Sequence, residues 1–495
     1  MRNSILVPST RQTTEKHASK RRKQNNTNEI AAKQALALGS TEQYVAEVYF
    51  VVDSKAFQIY VEEVNTDGNK IAIAKEKMEA DIDFFLTQVN ARYDTLLNLN
   101  LKISKRKVSI LTNEDVFASS IIQSNTYVST KDALNSFDSW LETEGSLSTL
   151  NYDLALLWTG YDLFSTGTET AGFAYVGTVC NGVQAISVVE YDGTYSTVIN
   201  TAHEIAHNLG ASHDSGSTGY IMAPSSSPSS NNRWSFSLCS SSDITGVITQ
   251  ITENCLTSSN ADSTIPNSGI TESLNNPNVL CARKKGASSY LCQNRNFYDN
   301  AAPKGDNVCK SFYCYLSGNT CGTVMSTDGM VCGSGKTCKE GTCQDDPAST
   351  TSDLNDNCLY GDQRRVTFGG SSQTCSQFLD STYDHYCQSS ETVRQLCCGT
   401  CTERYSGKPD CPYGDKSMSC ALYSANEICG HAPNAAICCK TCQGYSGRKR
   451  RSANLMTPVI LSADAPPVQD GANKKSQEDQ ENEKKILSHV PQAMA

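Results

Sequence analysis

An α/β domain followed by small disulfide-rich modules is the architecture that this 495-residue sequence predicts. Three observations point to it. Strand-like apolar runs alternate with helical periodicity from about Gln43 to Leu256, the pattern of a mixed sheet covered by helices. Twenty of the 23 cysteines fall between Cys281 and Cys442, the density of small units stapled by bridges. HEIAHNLGASHD at 203–214 gathers three of the seven histidines into one short stretch.

Along the chain, residues 1–42 are expected to be a disordered propeptide remnant, with the basic run Lys20–Lys23 either a processing site or a solvated charge run. Ala46–Val52 (AEVYFVV) is rich in β-formers and predicts the first strand of a domain spanning 43–256. Met78, Ile82, Phe85, Leu86, Val89, Tyr93 and Leu96 recur at three- and four-residue steps and predict a long helix. Further strands are expected at Leu101–Leu111, Asp153–Thr159, Gly172–Val179 and Ala185–Val189, and a histidine-bearing helix at about Thr197–Leu209. A chain segment of this size buries a proper core. Residues 257–279 are rich in Ser, Asn and Thr and are expected to be a linker. Residues 280–343 hold eight cysteines and form a second unit, and 344–356 is a further linker. An internal repeat follows at 357–402 and 410–443: CLYGD is echoed by CPYGD, and CCGTC by CCKTC. With six cysteines each and under 50 residues, these units depend on bridges for stability. The tail 444–495 is polar and expected to be disordered, and RKRR at 448–451 has the form of a furin-type cleavage site.

A formal net charge of −10 argues against nucleic acid as the main partner. No apolar run reaches membrane-spanning length, so no membrane span is expected. Dense disulfides require an oxidising compartment, which makes the expected location secreted and extracellular. Cytosolic zinc knuckles are the competing explanation of the cysteines, yet only His385 or His431 accompanies each later group. MRNSILVPSTRQ lacks the apolar core of a signal peptide, so the secreted assignment takes the N-terminus as truncated.

The histidine stretch carries the chemistry. On a helix, His203 and His207 share one face, and Glu204 projects about 100° further round. Gly210 suits a left-handed helix stop, after which the chain can return His213 as a third ligand. Three nitrogens and one open position describe a catalytic Zn2+ rather than a closed structural site. The alternative is a polar helix face with incidental histidines.

These residues match the pattern HExxHxxGxxH and resemble the metzincins. Asp214 after the third histidine resembles the adamalysin (reprolysin) branch, which includes the ADAM and ADAMTS metalloproteases. IMAP at 221–224 looks like that branch's Met-turn, and GFAYVGTVC at 172–180 and FSLCS at 236–240 are similar as well. The resemblance covers about 43–256. It implies a metzincin catalytic domain with a twisted mixed five-stranded sheet, His203, His207 and His213 as zinc ligands, and Glu204 as the catalytic base. It also implies a loop-fixing role for Asp214 and an apolar floor at Met222. CKSFYC and TDGMVCGSGKTCKEGTC within 309–343 are similar to the ADAMTS cysteine-rich, disintegrin-like segment. The two CCxxC units resemble PLAC modules, with ShK-type modules as the second choice. This order resembles short invertebrate ADAMTS-like proteases of the MIG-17 type, although no thrombospondin repeat is visible.

The resemblance also implies a Cys180–Cys255 bridge. It leaves Cys239 without its usual partner, since no cysteine lies between Asp214 and Cys239, so Cys239 is expected to be unpaired or linked outside the domain. Family members often bind Ca2+ near the domain ends; Glu47, Asp153 and the Cys255 carbonyl occupy the corresponding positions, with Ser258 where Asn or Asp is usual. The expected activity is that of a zinc metalloendopeptidase (EC 3.4.24 class) acting on extracellular or matrix proteins. Gly172, Ala174, Tyr175 and Val176 are expected to pair with an extended substrate by strand addition, the alternative being an ordinary sheet edge. The cysteine-rich modules are expected to hold the protein on matrix or cell surface. Two other functions share the sequence features: a matrix-binding or scaffolding protein whose modules do the work, and a venom-type toxin protein.

Overall fold

A computed structural model describes residues 43–446 apart from 67, 114, 120, 125, 145–149, 166–167, 217, 226–229, 294–297, 299–302, 317–319, 348–355, 369–370 and 380–384. The segment 1–42, its basic run, RKRR at 448–451 and the tail lie outside the described residues.

The first strand, β1 (Gln43–Val52), begins slightly before the expected Ala46. It leads into α1 (Ser54–Glu63), which the sequence periodicity had not indicated; Asp53 starts it by accepting the Ala56 N–H at 2.8 Å, a side-chain N-cap. The long helix α2 (Lys70–Tyr93) buries Met78, Ile82, Phe85, Leu86, Val89 and Tyr93, the stripe its spacing predicted. Next come β2 (Asn100–Ile110), β3 (Tyr127–Ser129) and α3 (Thr130–Thr143), the last capped by Ser129 and burying Leu134, Phe137 and Leu141. They are followed by β4 (Leu154–Thr159), the small strands β5 (Asp162–Ser165) and β6 (Thr168–Thr170), then β7 (Gly172–Ala174), β8 (Ile186–Glu190), α4 (Tyr195–Asn208) and α5 (Leu238–Ile248).

The main sheet has five strands in the order β2-β1-β4-β8-β7. All neighbours are parallel except β7, which runs antiparallel to β8 at one edge. Two cores cover its faces. Val48, Phe50, Leu156, Trp158 and Val189 point to the side of α2 and α4, whereas Tyr49, Val51, Leu157 and Val188 point to the side of α3. Alternation along each strand produces this division, and burial on both faces explains why Leu154–Trp158 is apolar without a break.

Two expectations require correction. The strand foreseen over Gly172–Val179 ends at Ala174. Beyond it, Gly177 and Cys180 take positive φ, and the N–H groups of Gly177 and Val179 donate to the carbonyls of His207 and Asn208, which draws the chain onto the end of α4. The stretch expected as a linker, 257–279, is instead fastened along the first domain. Thr264 pairs with Lys105, the Asn260 amide and Ser263 hydroxyl donate to Glu47, Thr271 and Ser273 donate to Asp81, and Leu274 is fully buried. Ser, Thr and Asn signal loops, and they are also the donors that buried carboxylates require.

The same strap continues into α6 (Pro277–Lys285) and the eight-cysteine unit, whose apolar residues join the core of the first domain. The Arg283 side chain, only 1% exposed, pairs with Glu63 and Asp81 and donates to the Gly193 carbonyl. Arg92 pairs with Asp328 at 3.1 Å. Bridges Cys281–Cys314, Cys292–Cys321, Cys309–Cys338 and Cys332–Cys343 close this unit.

The two six-cysteine units share one connectivity, first to fifth, second to fourth and third to sixth: Cys358–Cys398, Cys375–Cys397 and Cys387–Cys401, then Cys411–Cys439, Cys420–Cys438 and Cys429–Cys442. The repeated YGD has a structural cause. Asp362 accepts the N–H groups of Gly399 and Thr400, and Asp415 those of Lys440 and Thr441, so each carboxylate caps the turn that carries the paired cysteines.

Candidate active site

Helix α4 positions the first two histidines four residues apart on one face, and Gly210 ends it at φ +103°. A side chain at Gly210 would also meet Val247 of α5 at 2.3 Å, so only glycine allows the reversal that brings His213 back. The Nε2 atoms of His203 and His207 each lie 3.2 Å from Nε2 of His213. His203 Nδ1 donates to the Ile221 carbonyl and His207 Nδ1 to the Ala211 carbonyl, both at 2.7 Å. With the ring protons on Nδ1, the Nε2 lone pairs of His203 and His207 face the common point. A separation near 3.2 Å matches the edge of a tetrahedron whose metal–nitrogen bonds are about 2.0 Å, the zinc–imidazole value. Burial pushes His203 down to about 3 and His207 to about 4, and also lowers His213, which keeps the rings neutral as metal ligation requires.

Glu204 is 5% exposed, and its Oε2 has no hydrogen-bond partner among the described residues. Burial alone pushes its carboxyl up to about 8. The space it occupies is made by Gly172: a Cβ there would lie 2.5 Å from Oε1. Edge strand β7 is therefore in van der Waals contact with the carboxylate that the histidine helix presents.

The segment 221–224 positions its neighbours through backbone. The Ile221 carbonyl orients His203, and the Met222 carbonyl accepts the Asp214 N–H at 2.8 Å while the Met222 side chain is fully buried. Asp214 accepts hydroxyl protons from Ser237 and Ser240 at the start of α5, anchoring the loop that carries His213. Asn208 escaped notice in the sequence. Its amide donates to the carbonyls of Tyr175 and Ile186 at 2.9 and 3.0 Å, locking the histidine helix to β8 and to the segment that follows β7. The available signal was a polar residue placed beside His207 in an otherwise apolar helix end. Of the four edge-strand residues expected to meet substrate, Gly172 and Ala174 belong to β7, and Tyr175 and Val176 follow its end with exposed side chains.

The residues expected at a calcium site lie together but are engaged within the chain. Glu47 accepts from the Asn260 backbone, the Asn260 amide and Ser263, its own N–H donates to Asp153 at 2.8 Å, and the Cys255 carbonyl accepts from Ser258. Burial, with Glu47 alongside, pushes Asp153 up to about 7. Cys180 and Cys255 are bridged, and Cys239 is exposed and without a disulfide partner among the described residues. One other cluster, Cys309, Cys332 and Cys343, has metal-like spacing, but all three sulfurs are in disulfides. No described helix is long and apolar enough to cross a membrane.

Residues 42–241 match the family model Reprolysin_5, described as metallo-peptidase family M12. The chain is 27% identical over 225 residues to a human protein, a disintegrin and metalloproteinase with thrombospondin motifs 18, a match covering 43% of this chain and 18% of that protein. It is 25% identical over 316 residues to the Caenorhabditis elegans protein of the same class designated adt-1, covering 60% of this chain and 20% of that one. It thus spans about a fifth of the length of these relatives. Among solved structures, an archaemetzincin from Methanopyrus kandleri aligns with a TM-score of 0.27 at 14% identity, covering 41% of this chain and 97% of that one.

Proposed function

We propose, from the premise that residues 42–241 match metallopeptidase family M12, that this protein is a secreted zinc metalloendopeptidase acting on extracellular or matrix proteins. The observation that carries the proposal is the convergence of three imidazole Nε2 atoms, two with their Nδ1 protons held by carbonyls, beside a buried carboxylate. His203, His207 and His213 would hold the ion. Zinc, when bound, acts as a Lewis acid that acidifies water and polarises the scissile carbonyl.

The other steps belong to the chain. Glu204 accepts the proton of the attacking water on a carboxylate oxygen and delivers it to the leaving amine. A cation held by the three histidines would counter the upward push of burial and favour the ionised carboxylate that takes the proton, while the same burial favours keeping it between the two transfers. Edge strand β7 aligns the scissile segment by main-chain hydrogen bonds. Asp214 and Asn208 position the third histidine's loop and the strand relative to the helix. The two six-cysteine units, PLAC-like or ShK-like, retain the enzyme on matrix or cell surface, in the manner of a short ADAMTS-like protease of the MIG-17 type.

The test uses purified full-length chain. Elemental analysis is expected to find about one zinc per chain, and a chelator is expected to abolish cleavage of protein substrates until zinc is restored. Undiminished cleavage by protein shown to be metal-free would overturn the proposal.

Gly172→Ala provides a second test. The added methyl must displace Glu204, since the ideal Cβ lies 2.5 Å from Oε1. A misplacement of this kind costs on the order of 100-fold in rate, expected in kcat rather than KM, with zinc content unchanged. Wild-type kcat in this variant would show that the carboxylate position is not set by β7.

A further inference from the structure

Beside the candidate site lies an aromatic surface that the hydrolytic steps leave unused. Gly172 pairs with Val189, and Phe173 with Val188. Val189 faces the core under α4 and Val188 the core under α3. Side chains therefore alternate along β7: position 172 faces Glu204, and position 173 faces the opposite side of the sheet. Tyr175, two residues on and still donating its N–H to Ile186, shares the face of Phe173. Phe173 and Tyr175 are 40% and 39% exposed. From Ala171 to Val189 the sequence has no charged residue, so this stretch itself brings no ionic group to the face.

The backbone identifies what covers these rings. The Ala171 carbonyl accepts from Glu190 at 2.9 Å and the Tyr175 N–H donates to Ile186, so the odd positions turn toward β8. In an antiparallel pair the intervening positions turn away. Gly172 and Ala174 thus turn their N–H and C=O groups to the open edge, where the Gly172 carbonyl also accepts from the Thr170 hydroxyl at 3.3 Å, and this edge is continuous with the site through the contact of position 172 with Glu204. A strand added there places alternate side chains on each face. Those on the α3 side come within cross-strand distance of Phe173 and Tyr175.

We propose that the segment received by this edge is an extended stretch of protein substrate carrying apolar side chains at two positions two residues apart, seated on Phe173 and Tyr175. This proposal rests on the hydrolytic reading and deepens it, since it names what the cleaved sequence must contain. Polar residues at those two positions would leave both rings partly wetted and gain nothing from docking. Apolar residues remove the remaining ring surface from water.

The test takes one peptide cleaved by the zinc-loaded full-length chain and changes successive pairs of residues, two apart, from Leu to Ser. One pair near the scissile bond is expected to raise KM and lower kcat/KM about tenfold, the discrimination typical of an apolar subsite. In the double variant Phe173→Ser/Tyr175→Ser, the Leu and Ser peptides are expected to be cleaved with a ratio near one. Phe173→Leu, which keeps an apolar surface, is expected to retain the preference. Thermal midpoint and zinc content of each variant separate misfolding from lost selectivity, and the single variant Phe173→Ser serves if the double variant does not fold. Equal cleavage of all peptides by wild type, or an unchanged ratio in the folded serine variants, overturns this proposal alone. A zinc-loaded chain that cleaves neither peptides nor proteins overturns the hydrolytic reading, and this proposal with it.

Discussion

Glu204→Gln is expected to lower peptide hydrolysis by about 10²–10⁴-fold while leaving about one zinc bound per chain. The substitution keeps shape and burial and removes only the capacity to take a proton. The Oε2 of the buried carboxylate has no hydrogen-bond partner among the described residues. Its nearest constraint is the bare backbone of Gly172. Folding should therefore change little, and the loss should appear in kcat. Activity within tenfold of wild type, measured in a preparation free of host peptidases, would remove Glu204 from the mechanism.

Arg283→Ala is expected to destabilise the whole protein by about 3–5 kcal/mol, the cost of breaking a buried ion pair by removing one partner. Arg283 belongs to α6, yet its guanidinium sits within the first domain against Asp81 (0% exposed), Glu63 and the Tyr60 ring. Without it, Asp81 keeps, among the described residues, hydroxyl donors from Tyr60, Thr271 and Ser273. The urea midpoint should fall accordingly, and adding Asp81→Asn should recover part of the loss because the stranded charge is removed. An unchanged midpoint would show that the eight-cysteine unit does not stabilise the first domain through this contact. Arg92 gives the same picture from the other side, since its carboxylate partner is Asp328 of the eight-cysteine unit. A chain ending at residue 256 would leave Asp81 and Arg92 without their ionic partners. Activity comparisons between such a fragment and the full chain would then report stability as much as module function.

The histidine site was legible because its spacing is local. HExxH lies within two helical turns, and Gly210 encodes the reversal within three residues of His207. The sheet was legible where burial on both faces produced continuous apolar runs, as in Leu154–Trp158. Helices α1 and α3 were missed because their apolar faces are short and their start signals are single residues, Asp53 and Ser129. The strand expected to reach Val179 was overextended because the hydrogen bonds that end it come from the carbonyls of His207 and Asn208, about 30 residues later in the chain.

By itself, the sequence marked out the histidine trio, its neighbouring carboxylate, the strand-rich stretch before residue 256 and the grouping of the later cysteines, because each depends on residue type and short-range periodicity. Tertiary structure alone decided that Gly172 makes room for Glu204, that Asn208 locks the helix to β8 and to the segment that follows β7, and that the Ser- and Thr-rich stretch 257–279 is a strap rather than a linker. Each of these joins residues distant in the chain. The space one side chain leaves and the donor a buried carboxylate needs are properties of neighbours in three dimensions, and no local pattern encodes them.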